Sequence, residues 1–302
     1  MEILNKIIPI DKYNNIGLLG MTDEFFCAYV NKLFYDTNSG ILILTPSLYE
    51  ANKLYASIVK YNNKVLLFPM DDFLTSESIA ISPELKSTRL DTLDSLINNP
   101  KQIVVAHLNS YLRFLPNKDI FKSRKLLIEK GKSYNRDVLI KNLIDLGYKR
   151  ETIVTNTGEI GVRGFVLDIF PINSEKPVRI EFFDDEVDSI RYFDSDTQKS
   201  IKEINRIEIS SNTEFLISNS VEGIDYNQKY LKALSSNVTN IAGYMNNPIT
   251  IIKDYSQLMV SYKKVLEEIT EYKALKDTTY NGDYMFSLDS VLPKDLIYYN
   301  TI

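Results

Sequence analysis

The stretch from residue 16 to residue 30 reads IGLLGMTDEFFCAYV. A short apolar run leads through a glycine and a turn into a segment whose apolar residues recur at helical spacing. A strand that passes through a glycine into a helix is where nucleotide-binding proteins place their phosphate loop. The stretch therefore predicts an α/β layer, and it raises the question of whether a nucleotide binds beside Gly20.

The residues that a phosphate loop needs are missing from this stretch. The pattern G-x-x-x-x-G-K-[ST] requires glycines for close backbone approach, a lysine for charge and a hydroxyl for magnesium. Counted from Gly20, the second glycine is replaced by Phe25, the lysine by Phe26 and the hydroxyl by Cys27. Two carboxylates among the intervening residues would repel phosphates. We therefore predict a degenerate, non-functional nucleotide site at these four positions and no catalytic residues.

Outward from this stretch, strand and helix patterns alternate to about residue 115. Near-continuous apolar runs, which are typical of buried parallel strands, are ILILTP at 41–46, KVLLFP at 64–69 and QIVVAH at 102–107. Amphipathic segments lie between these runs, so the pattern predicts a parallel sheet covered by helices. The same pattern returns after residue 209, with a strand at 248–254 and a helix at 256–275.

A different pattern lies between these two parts. After PNK at 116–118, a strand and an amphipathic helix that Gly147 ends precede a series of short strands separated by turns. This order predicts a smaller α+β domain with an antiparallel sheet. The predicted segments are therefore 1–118, 119–208 and 209–302.

Composition narrows the classes of function. The chain has 302 residues, enough for two or three domains, and its net charge of −5 argues against a bare nucleic-acid binder. One cysteine and one histidine leave no material for a disulfide framework or a zinc site. We interpret Cys27 as a buried apolar residue and His107 as a satisfied structural one. No apolar run is long enough to span a membrane and no signal peptide is recognisable, so we expect a cytoplasmic protein without a bound metal.

One long segment carries a family resemblance. Residues 158–201 read GEIGVRGFVLDIFPINSEKPVRIEFFDDEVDSIRYFDSDTQKSI. This run resembles the second domain of the excision-repair protein UvrB, and it is more similar still to the matching region of the bacterial transcription-repair coupling factors (Mfd). Segments that extend the resemblance are LLG at 18–20, LLFPMDDFL at 66–74 and STRLDTL at 87–93. We expect the whole chain to be the N-terminal UvrB-homology region of that family, and thus a fragment of a longer protein.

The resemblance implies a fold for this chain, and it implies which functions of the family reside in other domains. It implies that 1–118 and 209–302 form one degenerate helicase-like (RecA-like) α/β domain, which 119–208 interrupts. UvrB has an intact phosphate loop and a long DNA-clamping hairpin, whereas here only TSESIAISPE, at 75–84, precedes the next helix. The coupling factors share both departures. Their full-length form is an ATP-dependent DNA translocase, so ATP, magnesium, DNA and RNA polymerase are expected to bind only domains beyond residue 302.

In this family the second domain recruits UvrA to stalled RNA polymerase for nucleotide excision repair. The family's UvrA-binding residues match Arg163, Arg179 and Phe183 here, with Glu181 and Arg191 at the rim. Strand alternation predicts that Arg179 and Phe183 share a face, and that Arg163 and Phe165 alternate along the preceding strand. The family also implies that a C-terminal domain of the intact protein masks this surface.

Simpler interpretations compete at these positions. Arg163 and Arg179 would form surface ion pairs with the acidic run at 184–186, each contributing only about 0–1 kcal/mol. Phe183 would be a core residue, although Phe182 and Phe183 point to opposite faces and only one of them need be buried.

Two other classes of function are also open. One is a nucleotide hydrolase with a divergent site, against which the lost phosphate loop argues. The other is a DNA-binding module that uses the basic run FKSRKLLIEKGK at 121–132 in weak, salt-sensitive binding. The acidic balance and the missing hairpin argue against this second class.

Overall fold

The structure, a computed structural model, describes residues 15–71, 82–217, 230–235, 237–275 and 281–300. The chain divides into two compact units. The larger unit comprises Met1–Lys118 and Asn219–Ile302, and the smaller unit comprises Asp119–Ser218.

The strands of the described residues are numbered in chain order. They are β1 (Ile16–Leu19), β2 (Ile41–Thr45), β3 (Val65–Phe68), β4 (Ile103–His107), β5 (Leu115–Pro116), β6 (Leu126–Glu129), β7 (Lys149–Arg150), β8 (Glu159–Arg163), β9 (Val166–Ile169), β10 (Val178–Phe183), β11 (Glu186–Phe193), β12 (Ser200–Ile204), β13 (Arg206–Ile209), β14 (Val238–Thr239), β15 (Ile249–Lys253) and β16 (Ile297–Asn300).

The helices of the described residues are numbered in the same way. They are α1 (Asp23–Asp36), α2 (Leu48–Ile58), α3 (Pro83–Asn98), α4 (Leu108–Leu112), α5 (Lys118–Ser123), α6 (Arg136–Asp145), α7 (Leu231–Leu234), α8 (Tyr255–Leu275) and α9 (Leu288–Val291). A short 3-10 helix spans Ile241–Tyr244.

The larger unit is built on a parallel sheet. In the part of the chain that the structure describes, its strand order is β1-β16-β15-β2-β4-β3, and every neighbouring pair is parallel. The apolar runs at 41–46, 64–69 and 102–107 form β2, β3 and β4, so the predicted parallel α/β layer is confirmed. Two strands from the C-terminal part of the chain lie between β1 and β2, so both parts of the chain build one sheet.

Burial on both faces explains why the central strands are apolar without alternation. Residues 41–44 of β2 and 103–106 of β4 are fully buried. On one face, α1 and α2 add their apolar sides to the core, including Phe26, Leu33 and Leu54.

Side-chain caps fix where the three longest N-terminal helices begin. Thr22 accepts from the third backbone N–H of α1, and Ser47 and Ser82 do the same for α2 and α3. Such caps satisfy N–H groups that have no partner within the helix. Pro83 occupies the first turn of α3, where its missing N–H costs nothing.

The smaller unit contains an antiparallel sheet in strict sequence order, β12-β11-β10-β9-β8-β7. Only the short β7–β8 pair is parallel. The helix α6 turns Leu139 and Leu143 inward, and the sheet contributes buried Leu167, Ile180 and Ile190. A separate antiparallel pair joins β6 and β13. The predicted α+β unit with an antiparallel sheet is therefore confirmed.

Gly147 ends α6 as the sequence predicts. It adopts a φ of +85°, and Tyr148 N–H returns to the carbonyl of Leu143 at 3.0 Å. The chain after β13 then packs back on this turn. Tyr148 Oη donates to the carbonyl of Ser210 at 2.9 Å, and Asn212 N–H donates to the carbonyl of Leu146 at 2.8 Å. The smaller unit accordingly extends to residue 218, beyond the boundary that the sequence pattern placed at 208.

Part of the comparison with UvrB falls outside the described residues. The segment TSESIAISPE is described only from Ser82 onward, and LLFPMDDFL only as far as Asp71. The expected short connection in place of a DNA-clamping hairpin stays a prediction.

Candidate protein-interaction site

The connection between β1 and α1 turns from strand to helix as a phosphate loop does, with different side chains. Gly20 has a φ of +73°, and the hydroxyl of Thr22 accepts from Phe25 N–H at 3.3 Å. Phe26 is fully buried, and its ring stacks on Tyr299 of β16 with ring centroids 3.8 Å apart. The side chain at the position of the phosphate-binding lysine is therefore part of the core.

Cys27 and His107 are both buried. Burial, with Asp23 and Glu24 nearby, raises the pKa of the Cys27 thiol to about 11, so the thiol is protonated at neutral pH. Burial, assisted by Arg89, lowers the pKa of His107 to about 3, and neither ring nitrogen has a hydrogen-bond partner. His107 is thus a buried residue of the larger unit, but the expectation that it is satisfied is wrong.

A cleft of about 450 Å³ opens at the carboxyl ends of β1, β2 and β15. Two ion pairs lie in it. Lys53 Nζ is 3.0 Å from Asp23 Oδ2, and Lys253 pairs with Glu50. Burial acts to raise the pKa of Asp23, but the two lysines together hold it below its ordinary value. Both lysines of the cleft are therefore paired with carboxylates of the protein itself, which leaves little positive charge for a phosphate.

The antiparallel sheet of the smaller unit has one apolar and one polar face. The buried residues of β10 are Val178, Ile180 and Phe182. The residues between them point to the other face, where Arg179 lies opposite Asp168 of β9 and Arg191 of β11. We use the name polar face for the set Arg163, Asp168, Arg179, Glu181, Phe183, Ser189 and Arg191.

Arg179 is held by its neighbours on the polar face. Its Nε and Nη2 atoms donate to the two oxygens of Asp168 at 2.7 and 2.9 Å, forming a bidentate fork. Nη2 and Nη1 also donate to the side-chain and backbone oxygens of Gln198 at 3.2 and 3.4 Å. The guanidinium carbon lies 4.6 Å from the ring centroid of Phe193. Hydrogen bonding to Asp168 raises the pKa of Arg179, and only 18% of the side chain is exposed.

Arg163 is more open. Its side chain is 55% exposed, and Nη2 reaches Asp168 Oδ2 at 3.4 Å. Arg163 is the last residue of β8, and the turn Gly164-Phe165 leads directly into β9. Arg136 of α6 donates to the carbonyl of Gly164 at 2.6 Å and stacks on the ring of Phe165 at 5.2 Å. The prediction that Arg163 and Phe165 alternate along one strand is therefore wrong, because Phe165 belongs to the turn.

Phe183 ends β10 and projects into solvent. It is 80% exposed, whereas the preceding Phe182 is buried. Asp184 follows with a φ of +58°, which turns the chain into β11. The interpretation of Phe183 as a core residue is therefore wrong, and the expectation that only one of the two phenylalanines need be buried is confirmed.

The two predicted rim residues contact each other. Glu181 of β10 and Arg191 of β11 form an ion pair, and Ser189 Oγ donates to Glu181 Oε2 at 3.2 Å. The structure thus brings all five predicted positions onto one sheet face. Whether they bind a partner remains a prediction.

The two central arginines do form ion pairs, but with a carboxylate that the sequence interpretation overlooked. Their partner is Asp168 rather than the acidic run at 184–186. Asp168 stands in the segment GVRGFVLDIFP, five residues after Arg163. The sequence did contain a feature that could have identified Asp168 as the partner. Asp168 lies shortly after a tight hairpin turn, and a two-residue turn brings residue 168 of the second strand back beside the arginines. Nothing in the sequence pattern pointed to Gln198.

Other classes of site find no support in the part of the chain described. Its histidine, cysteine, aspartate and glutamate residues form no group that could hold a metal ion. Within the same residues, no helix combines the length and apolar character needed to cross a membrane.

Known proteins resemble both the segment that carries the polar face and much of the remaining chain. The family model of the UvrB interaction domain matches residues 126–215. The transcription-repair-coupling factor of Bacillus subtilis is 38% identical over 202 residues, which cover 66% of this chain and 17% of that protein. The same factor from Staphylococcus epidermidis is 33% identical over 220 residues, covering 72% and 19%. That of Staphylococcus haemolyticus is 32% identical over 222 residues, covering 73% and 19%.

These matches extend well beyond the antiparallel sheet, although they stop short of the whole chain. The chain spans less than a fifth of the length of these relatives. The chain is therefore homologous to the N-terminal region of transcription-repair-coupling factor and contains a UvrB interaction domain at residues 126–215.

Proposed function

We propose that this chain is a non-catalytic module that recruits UvrA for nucleotide excision repair through the polar face of its smaller unit. The observation that carries the proposal is Phe183, an aromatic side chain 80% exposed on the same face as two arginines that share one carboxylate. The match to the UvrB interaction domain and the name of the relatives, which joins transcription to repair, support a partner from the repair machinery.

The chemistry of the polar face fits a protein partner. Arginine and large aromatic residues are enriched among the side chains that carry most of the binding energy at interfaces. Arg163 has donors free to meet a carboxylate, and Phe183 offers a ring that a partner recess would bury. Arg179 supplies a fixed charge on the same face, and the Glu181–Arg191 pair fits the polar rim that surrounds such sites.

The other activities of the family, DNA translocation and RNA polymerase binding, would then reside in domains that this chain does not include. The larger unit acts as a scaffold, and neither ATP nor magnesium is needed here. DNA translocation and RNA polymerase binding belong to the other four-fifths of the coupling factor. In the intact cytoplasmic protein a C-terminal domain covers the polar face until the factor is engaged.

Calorimetry with purified UvrA tests the proposal directly. The parent chain should bind, and the double variant Arg163→Ala/Phe183→Ala should lose well over tenfold in affinity, because it removes the exposed cation and the exposed ring. Ile144→Ala is a matched control, since Ile144 is an exposed apolar residue on α6 rather than on the polar face. A parent chain that fails to bind UvrA would refute recruitment. Equal binding by the double variant would move the contact away from the polar face.

A further inference from the structure

We infer that Asp168 is the positioning residue of the polar face, the side chain that holds Arg163 and Arg179 in the arrangement a partner meets. The inference rests on the proposed function, because it concerns how the same surface is organised. Asp168 lies within β9, and its side chain is only 2% exposed. It is a single buried carboxylate that faces two guanidinium groups on the neighbouring strands.

Both oxygens of this carboxylate are used. Oδ1 accepts from Arg179 Nε at 2.7 Å, and Oδ2 accepts from Arg179 Nη2 at 2.9 Å and from Arg163 Nη2 at 3.4 Å. Without that charge, two cations would face each other across one strand in a partly desolvated position, where like charges repel strongly. Asp168 therefore allows both arginines to occupy one small area of the sheet.

The sheet does not depend on Asp168 for its cohesion. Backbone pairing runs along β9 on both sides, and the opposite face buries Leu167, Ile169 and Ile180. A buried carboxylate carries a desolvation cost that an apolar residue would avoid, so its value lies in what it does to its partners. Here it fixes Arg179 completely and tethers Arg163 by one long hydrogen bond.

This unequal sharing defines the partner that the surface fits. Arg179 has little exposed area, whereas Arg163 uses one donor on Asp168 and keeps the others at the surface. The docking surface of UvrA should therefore place a carboxylate against Arg163, beside a recess for Phe183. Because the guanidinium groups are held before binding, less side-chain entropy is lost on association.

The variant Asp168→Asn tests the inference, because it keeps the shape of the side chain and removes its charge. In calorimetry with UvrA, the folded variant should bind at least about tenfold more weakly than the parent chain. Glu208→Gln neutralises an exposed carboxylate on β13, outside the sheet that carries the polar face, where Glu208 pairs with Lys125, and should leave affinity unchanged. Ile180→Val destabilises the apolar face of the same sheet without touching the arginines, and should also leave affinity unchanged.

A double-mutant cycle separates positioning from general damage. Asp168→Asn should cost clearly less affinity in a chain that already carries Arg163→Ala, because part of its effect is transmitted through Arg163. Fully additive losses, or unchanged affinity in folded Asp168→Asn, would overturn the inference while leaving recruitment intact. Absence of UvrA binding by the parent chain would overturn the proposed function and this inference together.

A measurement on the parent chain covers the case in which Asp168→Asn does not fold. After labelling with ¹⁵N-arginine, the Arg179 Nε–H signal should exchange slowly with water, because Asp168 holds that proton in a partly buried bond. The Arg163 Nε–H should exchange fast in the free chain and shift when UvrA is added. Fast exchange at Arg179 would show that Asp168 does not fix the guanidinium, and would contradict the inference.

Discussion

Arg163 and Arg179 share one carboxylate but occupy different surroundings. Arg179 is enclosed by Asp168, Gln198 and the ring of Phe193, and it joins three strands and the loop after β11. Arg163 sits at the end of β8 beside the turn and is mostly in solvent. The same residue type thus has a structural role at one position and an exposed role at the other.

This difference predicts different stability effects. Arg179→Ala should lower the free energy of unfolding by about 3 kcal/mol, because it leaves the buried carboxylate of Asp168 without its bidentate partner. Arg163→Ala should change it by less than about 0.5 kcal/mol, as is usual for exposed residues. Urea unfolding followed by circular dichroism measures both. Equal effects of the two substitutions would contradict the roles assigned to them.

His107 predicts a pH dependence of stability. Its pKa is about 3 in the folded protein and 6.5 in the unfolded chain, because burial and Arg89 disfavour the charged ring. The unfolded chain therefore binds a proton that the folded protein excludes. Stability linked to His107 is fully present above pH 6.5 and is lost as the pH falls toward 3.

The variant His107→Phe isolates this contribution, since it keeps an aromatic ring and cannot titrate. Between pH 7 and pH 5, the parent chain should lose about 2 kcal/mol more unfolding free energy than the variant, by proton linkage. Denaturant unfolding at the two pH values gives the comparison, and all other titrating groups are common to both chains. Parallel pH profiles would mean that His107 is protonated or solvated in the folded state.

At the scale of elements, the hairpins of the smaller unit set the geometry of the polar face. The turn Gly164-Phe165 contains only two residues, and it brings Val166 back opposite Arg163. The pairing of β10 with β11 shifts between Glu181 and Phe182, so one residue of β11 is skipped. Tight turns and this bulge decide which side chains reach the same edge of the sheet.

Gly164 is the residue of these turns most sensitive to substitution. Its φ of +55° is in the left-handed region, which residues with a Cβ adopt at a cost, although no atom would obstruct the Cβ. Gly164→Ala should therefore reduce the free energy of unfolding by roughly 1 kcal/mol. The control is Gly17→Ala, because Gly17 also has room for a Cβ but has no positive φ. Thermal unfolding of both variants shows whether the backbone conformation causes the loss. Equal losses would indicate that backbone conformation is not the cause.

The sequence was most informative where burial imposes a pattern. The strands β2 and β4 were predictable because a strand covered on both faces must be apolar throughout, and Gly147 was predictable as a helix end. The strand β16 was not, because the four residues IYYN fit several structures. Composition and burial patterns also could not identify Asp168 as the carboxylate that pairs with the two arginines. It depends on the hairpin register, which brings Asp168 beside residues 163 and 179.

At the scale of the whole molecule, the larger unit is discontinuous in sequence but continuous in its sheet. The strands β15 and β16 lie between β1 and β2, so among the described residues β1 joins the sheet through β16 and β15. The smaller unit has all its residues between 119 and 218. The larger unit therefore needs the strands β15 and β16 to complete its sheet, whereas the smaller unit does not.

A chain that ends at residue 247 should lose the larger unit selectively. Without β15 and β16, β1 has no partner strand and one edge of β2 is unpaired, so amide protection in β2 and β4 should fall sharply. Protection in β9 and β10 should persist, because their partners are retained. Hydrogen exchange measured by mass spectrometry on the parent and the shortened chain gives the answer. Unchanged protection in β2 would mean that the inserted strands are dispensable.

The interleaved strand order also bears on synthesis. Synthesis of β4 is complete at residue 107, but that of β16, which lies beside β1 in the sheet, is complete only at residue 300. At typical translation rates the first four strands wait on the order of ten seconds for their missing neighbours. During that time the smaller unit, which is made entirely within the interval, can already fold. The nascent chain can therefore carry a finished polar face while the sheet of the larger unit still has open strand edges, which is when a chaperone would be most useful.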